Sequence, residues 1–185
     1  MGRRQPQRLV WCSLGANERG CWGEPPATLR RAIDQIERAG LRVVACSSLY
    51  LTEPLGGPRQ PRYSNAVIGI EGSIAPAALL RLLKRLERHA GRRPNGHWSA
   101  RPLDIDILDF KGARVGRSAG PRKRSGLVLP HPEMTARGFV LVPLAEVAPR
   151  WRHPIRGIRA ADFLRRAPRL CRGVRLAAPL RMQKK

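Results

Sequence analysis

Arg101-Pro102-Leu103-Asp104-Ile105-Asp106-Ile107 opens a run, Leu103 to Phe110, in which acids and isoleucines alternate. Alternation with period two predicts a β-strand with Asp104 and Asp106 on one face and Ile105 and Ile107 packed on the other. Two like charges that close repel each other. A divalent cation between them removes the repulsion, and two carboxylates completed by phosphate oxygens suit magnesium. The plainer alternative is a half-exposed strand whose outward residues happen to be acidic. Context favours the metal, because the chain has 13 Asp and Glu against 36 Lys and Arg and still sets two acids side by side, near Arg92, Arg93 and Arg101. That is the composition of a site for a metal and a triphosphate.

Upstream of this strand the pattern is regular. Residues 8 to 14 read as a strand closed by Gly15-Ala16-Asn17. Pro25 and Pro26 suit the first turn of a helix with Leu29, Ile33 and Ile36 on its inner face and Gly40 beyond its end. Residues 41 to 51 predict a second strand, the Gly- and Pro-rich stretch Glu53 to Pro61 a loop, and Tyr63 to Glu71 a third strand. A second helix starts at Pro76, carries a stripe of Leu79, Leu82, Leu83 and Leu86, and stops at Gly91. With the Leu103–Phe110 strand the order is β-α-β-β-α-β. It predicts an α+β, ferredoxin-like sandwich, an antiparallel sheet with helices packed on one face. Residues 111 to 126 form a basic, Gly-rich loop, Phe139 to Val147 a helix or a strand, and the chain beyond about residue 159 an Arg-rich tail with an amphipathic stretch around Phe163 and Leu164.

The 185 residues suit one domain, and 42% apolar content is ordinary for a globular chain. The net charge of +23 is not ordinary. A field of that sign selects polyanionic partners: nucleic acid, an anionic membrane surface or a nucleotide triphosphate. Cys12, Cys21, Cys46 and Cys171 lack paired metal-ligand spacing and the density of a secreted scaffold, so reduced thiols in a cytoplasmic protein are expected. The N-terminus is polar, and the apolar run after it is interrupted by Ser13 and Gly15. Neither a signal peptide nor a membrane span is expected.

Two further clusters can carry chemistry. Leu129-Pro130-His131-Pro132 fixes the backbone around His131, which suits a ligand contact or a stiff surface turn, and Arg137 follows as a phosphate partner or a solvated arginine. Tyr63 and Asn65 share a strand face, where an aromatic and an amide could stack on a flat heterocycle and bond its edge. Trp98 could line a site or cover core.

Taken in order, Ser13-Leu14-Gly15-Ala16-Asn17, Thr52-Glu53-Pro54-Leu55-Gly56, Tyr63-Ser64-Asn65, Glu87 with Gly91-Arg92, Trp98, the Arg101–Ile107 segment, Leu129-Pro130-His131-Pro132 and Arg137-Gly138-Phe139 resemble the hydroxymethyldihydropterin pyrophosphokinase family over about residues 8 to 150. The resemblance implies a ferredoxin-like enzyme of folate biosynthesis. It would transfer the pyrophosphoryl group of ATP to the hydroxymethyl group of 6-hydroxymethyl-7,8-dihydropterin and release AMP. It further implies that Asp104 and Asp106 hold two Mg2+ ions and that Arg92 and Arg101 act with them in catalysis. By the same resemblance Tyr63 and Phe139 sandwich the pterin, whose polar edge is read by Asn65 and the chain at Thr52, Pro54 and Leu55, with Trp98 at both substrates. Glu87, Arg92, Arg101, Ile107, Val128, His131 and Arg137 would contact ATP. Residues 1–158 would form the pyrophosphokinase domain and 159–185 a basic tail, in a monomer. The loop Arg93-Pro94-Asn95-Gly96-His97 is short for the family and offers Arg93 and His97 where relatives carry further arginines.

The rival from another class is an RNA-binding module, since a basic four-stranded sheet also fits such proteins. Only 5% Phe, Trp and Tyr counts against it. A third alternative is an enzyme whose basic tail makes nonspecific contact with nucleic acid.

Overall fold

Strand β1 (Val10–Ala16) sits inside the sheet and reads apolar on both sides, because both of its faces are covered. The computed structural model describes residues 9–54, 60–93, 100–116 and 126–180. Along β1, Val10, Cys12, Leu14 and Ala16 point into one core and Trp11 into another. β1 pairs antiparallel with β4 (Tyr63–Glu71) on one side and with β5 (Asp104–Phe110) on the other.

The first core lies under two helices. Helix α1 (Pro25–Arg38) buries Leu29, Ala32, Ile33 and Ile36, and α2 (Pro76–His89) buries Leu79, Leu82, Leu83 and Leu86, each set at three- and four-residue spacing. Each buried leucine is worth about 1.5–3 kcal/mol of transfer free energy. Prolines at the first turn start both helices, where a missing N–H costs nothing.

The expected strand 41 to 51 is two strands, β2 (Arg42–Cys46) and β3 (Leu49–Thr52), both antiparallel to β4. The break is chemical. Ser47 Oγ accepts from the Val67 N–H at 2.9 Å and donates to the Ser48 carbonyl at 2.8 Å, so a side chain takes over part of the ladder.

The face opposite α1 and α2 carries helices too, where the order of elements predicts helices on one face alone. Helix α3 (Gly138–Val147) packs Val140, Leu141 and Leu144 against Trp11, Val67 and Leu108. Its sequence is apolar all round, which is why period alone leaves it between helix and strand. Helix α4 (Ala160–Arg166) adds Ala160 and Phe163 to this second core. The stretch read as a basic tail continues into β6 (Arg175–Ala178), which pairs antiparallel with β3, and Leu180 is buried in the first core. Its arginines hide the apolar anchors that dock it. The sheet order is β5-β1-β4-β3-β6 with β2 also on β4, so the molecule is a mixed α/β protein around an antiparallel sheet. No described helix is long and apolar enough to cross a membrane.

Candidate functional site between the sheet and helix α3

Ile105 and Ile107 are buried in the first core, and Asp104 and Asp106 face the other way, 23% and 29% exposed. Both acids line a cavity of about 600 Å³ bounded by β3, β4 and the start of α3. Asp106 also lines a second cavity of about 260 Å³ with Ile107, Val128 and His131. The acid pair therefore stands where two pockets meet.

Arginines already hold these acids. Arg92 Nη1 lies 2.5 Å from Asp104 Oδ1 and 2.7 Å from Glu87 Oε2, and Arg101 Nη1 lies 2.6 Å from Asp104 Oδ2. Arg137 Nη1 is 3.4 Å from Asp106 Oδ2. Guanidinium groups thus face both acids and offset their mutual repulsion. Burial would raise Asp104, but Arg92, Arg101 and Lys84 hold it below the usual carboxylate range.

Arg92 is placed by the end of α2. Gly91, at φ +104, lets the Arg92 N–H reach the Glu87 carbonyl at 3.0 Å while the Gly91 N–H reaches Arg88 at 3.0 Å, a double closure that turns the chain toward β5. Glu87 is buried, accepts from the Ile105 N–H at 2.8 Å and pairs with Lys84 at 2.8 Å. Burial pushes its carboxyl up against the pull of Lys84, the Ile105 N–H and Arg92. One carboxylate thereby ties α2, Arg92 and β5 together.

His131 is fixed by its backbone N–H to the Leu108 carbonyl at 2.8 Å. Its Nδ1 accepts from the Glu133 N–H at 3.2 Å, which leaves the ring proton on Nε2, the nitrogen 3.8 Å from Asp106 Oδ2. Burial lowers its pKa against the pull of Asp106. Arg137 also pairs with Glu133 and holds its guanidinium carbon 5.7 Å above the Phe139 ring centroid.

The other wall of the larger cavity is β3 and β4. Asn65 is buried and donates to Thr52 Oγ1 at 2.9 Å, and Tyr63 stands opposite Thr52 in the ladder. A Cβ at Gly15 would lie 3.2 Å from Asn65 Oδ1, so a glycine there leaves the amide room. Pro54, Tyr63 and Phe139 line the same cavity. Burial raises the Tyr63 hydroxyl.

Every candidate residue among those described falls at one of these two cavities or in the Glu87–Arg92 network beside them; Leu55 and Trp98 lie outside the described residues. In the sequence Asn17 ends a turn and belongs to the Ser13–Asn17 segment of the family resemblance, with no role of its own assigned. It is buried, its Oδ1 accepts from the Arg101 N–H at 2.7 Å, and its Nδ2 donates to Gln60 at 3.0 Å and to the Pro61 carbonyl at 3.3 Å. It holds Arg101 and the loop before β4 in one place, and no local pattern in the sequence signals so distant a pairing. Glu133 lines both cavities and was likewise not singled out. Among the described residues no group of three or more His, Cys, Asp or Glu could hold a metal. Two carboxylates opening on a cavity nevertheless fit magnesium, which takes few protein ligands and completes its shell with water and phosphate, provided the arginines release Asp104.

The family described as 7,8-dihydro-6-hydroxymethylpterin-pyrophosphokinase (HPPK) matches residues 11–149. A 2-amino-4-hydroxy-6-hydroxymethyldihydropteridine pyrophosphokinase of Pseudomonas aeruginosa is 40% identical over 146 residues, 78% of this chain and 83% of that one. One of Methylorubrum extorquens is 38% identical over 141 residues, 76% and 82% of the two chains. Among solved structures, the Plasmodium falciparum HPPK-DHPS wild type with pteroate aligns with a TM-score of 0.68 at 12% identity over 90% of this chain. The present chain spans 47% of that protein, and at 12% identity the likeness speaks for the fold alone.

Proposed function

Because the chain belongs to the 7,8-dihydro-6-hydroxymethylpterin-pyrophosphokinase family, we propose that it transfers the pyrophosphoryl group of ATP to 6-hydroxymethyl-7,8-dihydropterin in folate synthesis, with the pterin in the larger cavity and the nucleotide in the smaller. The hydroxymethyl oxygen forms a bond to the β-phosphorus as the bond from that phosphorus to the α,β-bridging oxygen breaks, AMP leaves with that oxygen, and the hydroxyl proton passes to solvent water. The observation that carries the assignment is the position of Asp106, which lines both cavities, with Asp104 beside it on β5.

Tyr63 and Phe139 suit the faces of the pterin ring, and Asn65, with Thr52 beside it, suits its polar edge. Ile107 and Val128 offer an apolar surface to the nucleotide, with His131 in the same cavity and Arg137 beside Asp106 at 3.4 Å. Asp104 and Asp106 would hold the two Mg2+ ions, which when bound neutralise the triphosphate and orient its β-phosphorus. Arg92 and Arg101 both pair with Asp104. Their exchange from carboxylate to phosphate would place fixed positive charge where negative charge develops. The β-α-β-β-α-β core, with strands in the order β5-β1-β4-β3, supports a ferredoxin-like description. The RNA-binding alternative needs an open sheet face, and here α3 covers Trp11, Val67 and Leu108.

The test is AMP release from ATP, with and without hydroxymethyldihydropterin, in wild type, Asp104→Asn and Asp106→Asn. Release should require the pterin and fall about 10²–10³-fold in each variant, with circular dichroism unchanged. Wild-type turnover in both variants would end the assignment.

A further inference from the structure

Beyond residue 149, where the family match ends, the chain returns to the proposed pterin cavity and touches both of its walls. The first contact is on β3. This strand pairs with β4 through three residues, Tyr50↔Asn65, Leu51↔Ser64 and Thr52↔Tyr63, and the Ser47–Ser48 break separates it from β2. Alone it would be a short edge strand, poorly held. β6 closes its other side with Leu49↔Ala178, Tyr50↔Leu176 and Leu51↔Arg175, immediately before Thr52. The end of the segment is anchored, since Leu180 is 5% exposed in the first core and its carbonyl lies 3.7 Å from Cys46 Sγ.

The second contact is on α3. Gly138, between Arg137 and Phe139, meets the Leu170 carbonyl so closely that a Cβ there would lie 1.7 Å from the oxygen. Phe163 and Leu170 pack with α3 in the second core. Between the two contacts, Gly173 passes Glu53, with 3.8 Å between its would-be Cβ and Glu53 Cγ. Glu53 is itself a lining residue of the larger cavity. None of these contacts falls on Ile107, Val128 or His131, which line the smaller cavity.

We propose that residues 160–180 are a positioning brace for the pterin pocket, fixing the Thr52 wall against the Phe139 wall, so that pterin recognition depends on a segment outside the family's matched region. The brace rests on the assignment of the larger cavity to the pterin. It acts on the spacing between the walls and touches neither the reacting atoms nor the nucleotide side.

Two full-length variants test it by different routes: Leu180→Asp puts a charge into the anchor, and Ala178→Pro places a proline, which disfavours strand pairing, in β6 opposite Leu49. Each is compared with Leu41→Ala, a core variant away from the pocket, and with Phe139→Ala, a direct contact. Hydrogen exchange at residues 49–52 reports release of β3, and steady-state kinetics separate KM for pterin, KM for ATP and kcat. Both brace variants should exchange faster at residues 49–52 and raise the pterin KM roughly tenfold, with the ATP KM within about twofold. Leu41→Ala should move neither KM. An unchanged pterin KM in both brace variants, with a raised one in Phe139→Ala, overturns the brace and spares the pocket. An unchanged pterin KM in Phe139→Ala overturns the pocket assignment and the brace with it.

Discussion

The two faces of the sheet are built from the same strands and do different work. Toward α1 and α2, β1, β4 and β5 present Cys12, Leu14, Ile68, Ile70, Ile105 and Ile107, a continuous apolar surface. Toward α3, the same strands present Trp11, Val67 and Leu108 at one end and Ser13, Asn65, Asp104 and Asp106 at the other. Burial on the first face is broken only where Ile105 and Ile107 also reach the smaller cavity, and on the second it is shared with the larger one. Packing holds most of the first face, and polar groups on the second face are kept in place by ion pairs and hydrogen bonds.

That difference is sharpest for a residue such as Leu83, fully buried in the first core. Leu83→Ala should cost about 2–5 kcal/mol, read as a shift of the urea midpoint, because the helix and sheet around it can close the void only in part. Both KM values of the folded fraction should stay as in wild type. A changed pterin or ATP KM would mean the faces are mechanically coupled, and the separation drawn above would fail.

Glu87 is where the faces meet, since it sits at the end of α2 and reaches the site through Arg92. Glu87→Gln keeps an oxygen for the Ile105 N–H and loses the charge that Lys84 and Arg92 share. Its expected cost is about 1–3 kcal/mol, below that of the leucine, but it should also lower kcat by loosening Arg92. A variant with full kcat and reduced stability would assign Glu87 to the first face alone.

How much of this was legible in the sequence follows the same division. The strands and helices of the first face announce themselves by period: Leu79, Leu82, Leu83 and Leu86 mark α2, and the alternation from Asp104 to Ile107 marks β5 with the correct faces. The second face hides its structure. Gly138–Val147 is too uniformly apolar for a period, and the arginines of residues 159–175 mask Phe163 and the short strand β6. At the site, residue types were readable and their partners were not. Acids two apart suggest a metal, and Arg101 lies three residues from Asp104, but that Arg92 at the end of α2 also holds Asp104, and that Asn17 holds Arg101, depends on contacts between separate segments. Ser47, which splits one expected strand into two, acts through a side-chain bond to Val67 that no propensity scale contains.

The smallest expected effect lies at the seam between α3 and β3. Glu146 accepts from the Ser48 N–H at 3.1 Å, from Ser48 Oγ at 2.8 Å and from the Tyr50 hydroxyl at 3.0 Å. Burial and the Glu146 carboxylate push the Tyr50 pKa from 10.0 up to about 12. A folded-state pKa above the unfolded one means the folded protein binds the proton more tightly, so the stabilisation is complete below pH 10 and is lost as pH rises toward 12. Against Tyr50→Phe, which cannot ionise, wild type should therefore lose stability over that interval and only there. Urea midpoints of both proteins at half-unit steps from pH 9 to 12 measure it. Parallel curves would show that Tyr50 ionises as it does in the unfolded chain, and that the hydroxyl contributes nothing to holding α3 against the strand that carries Thr52.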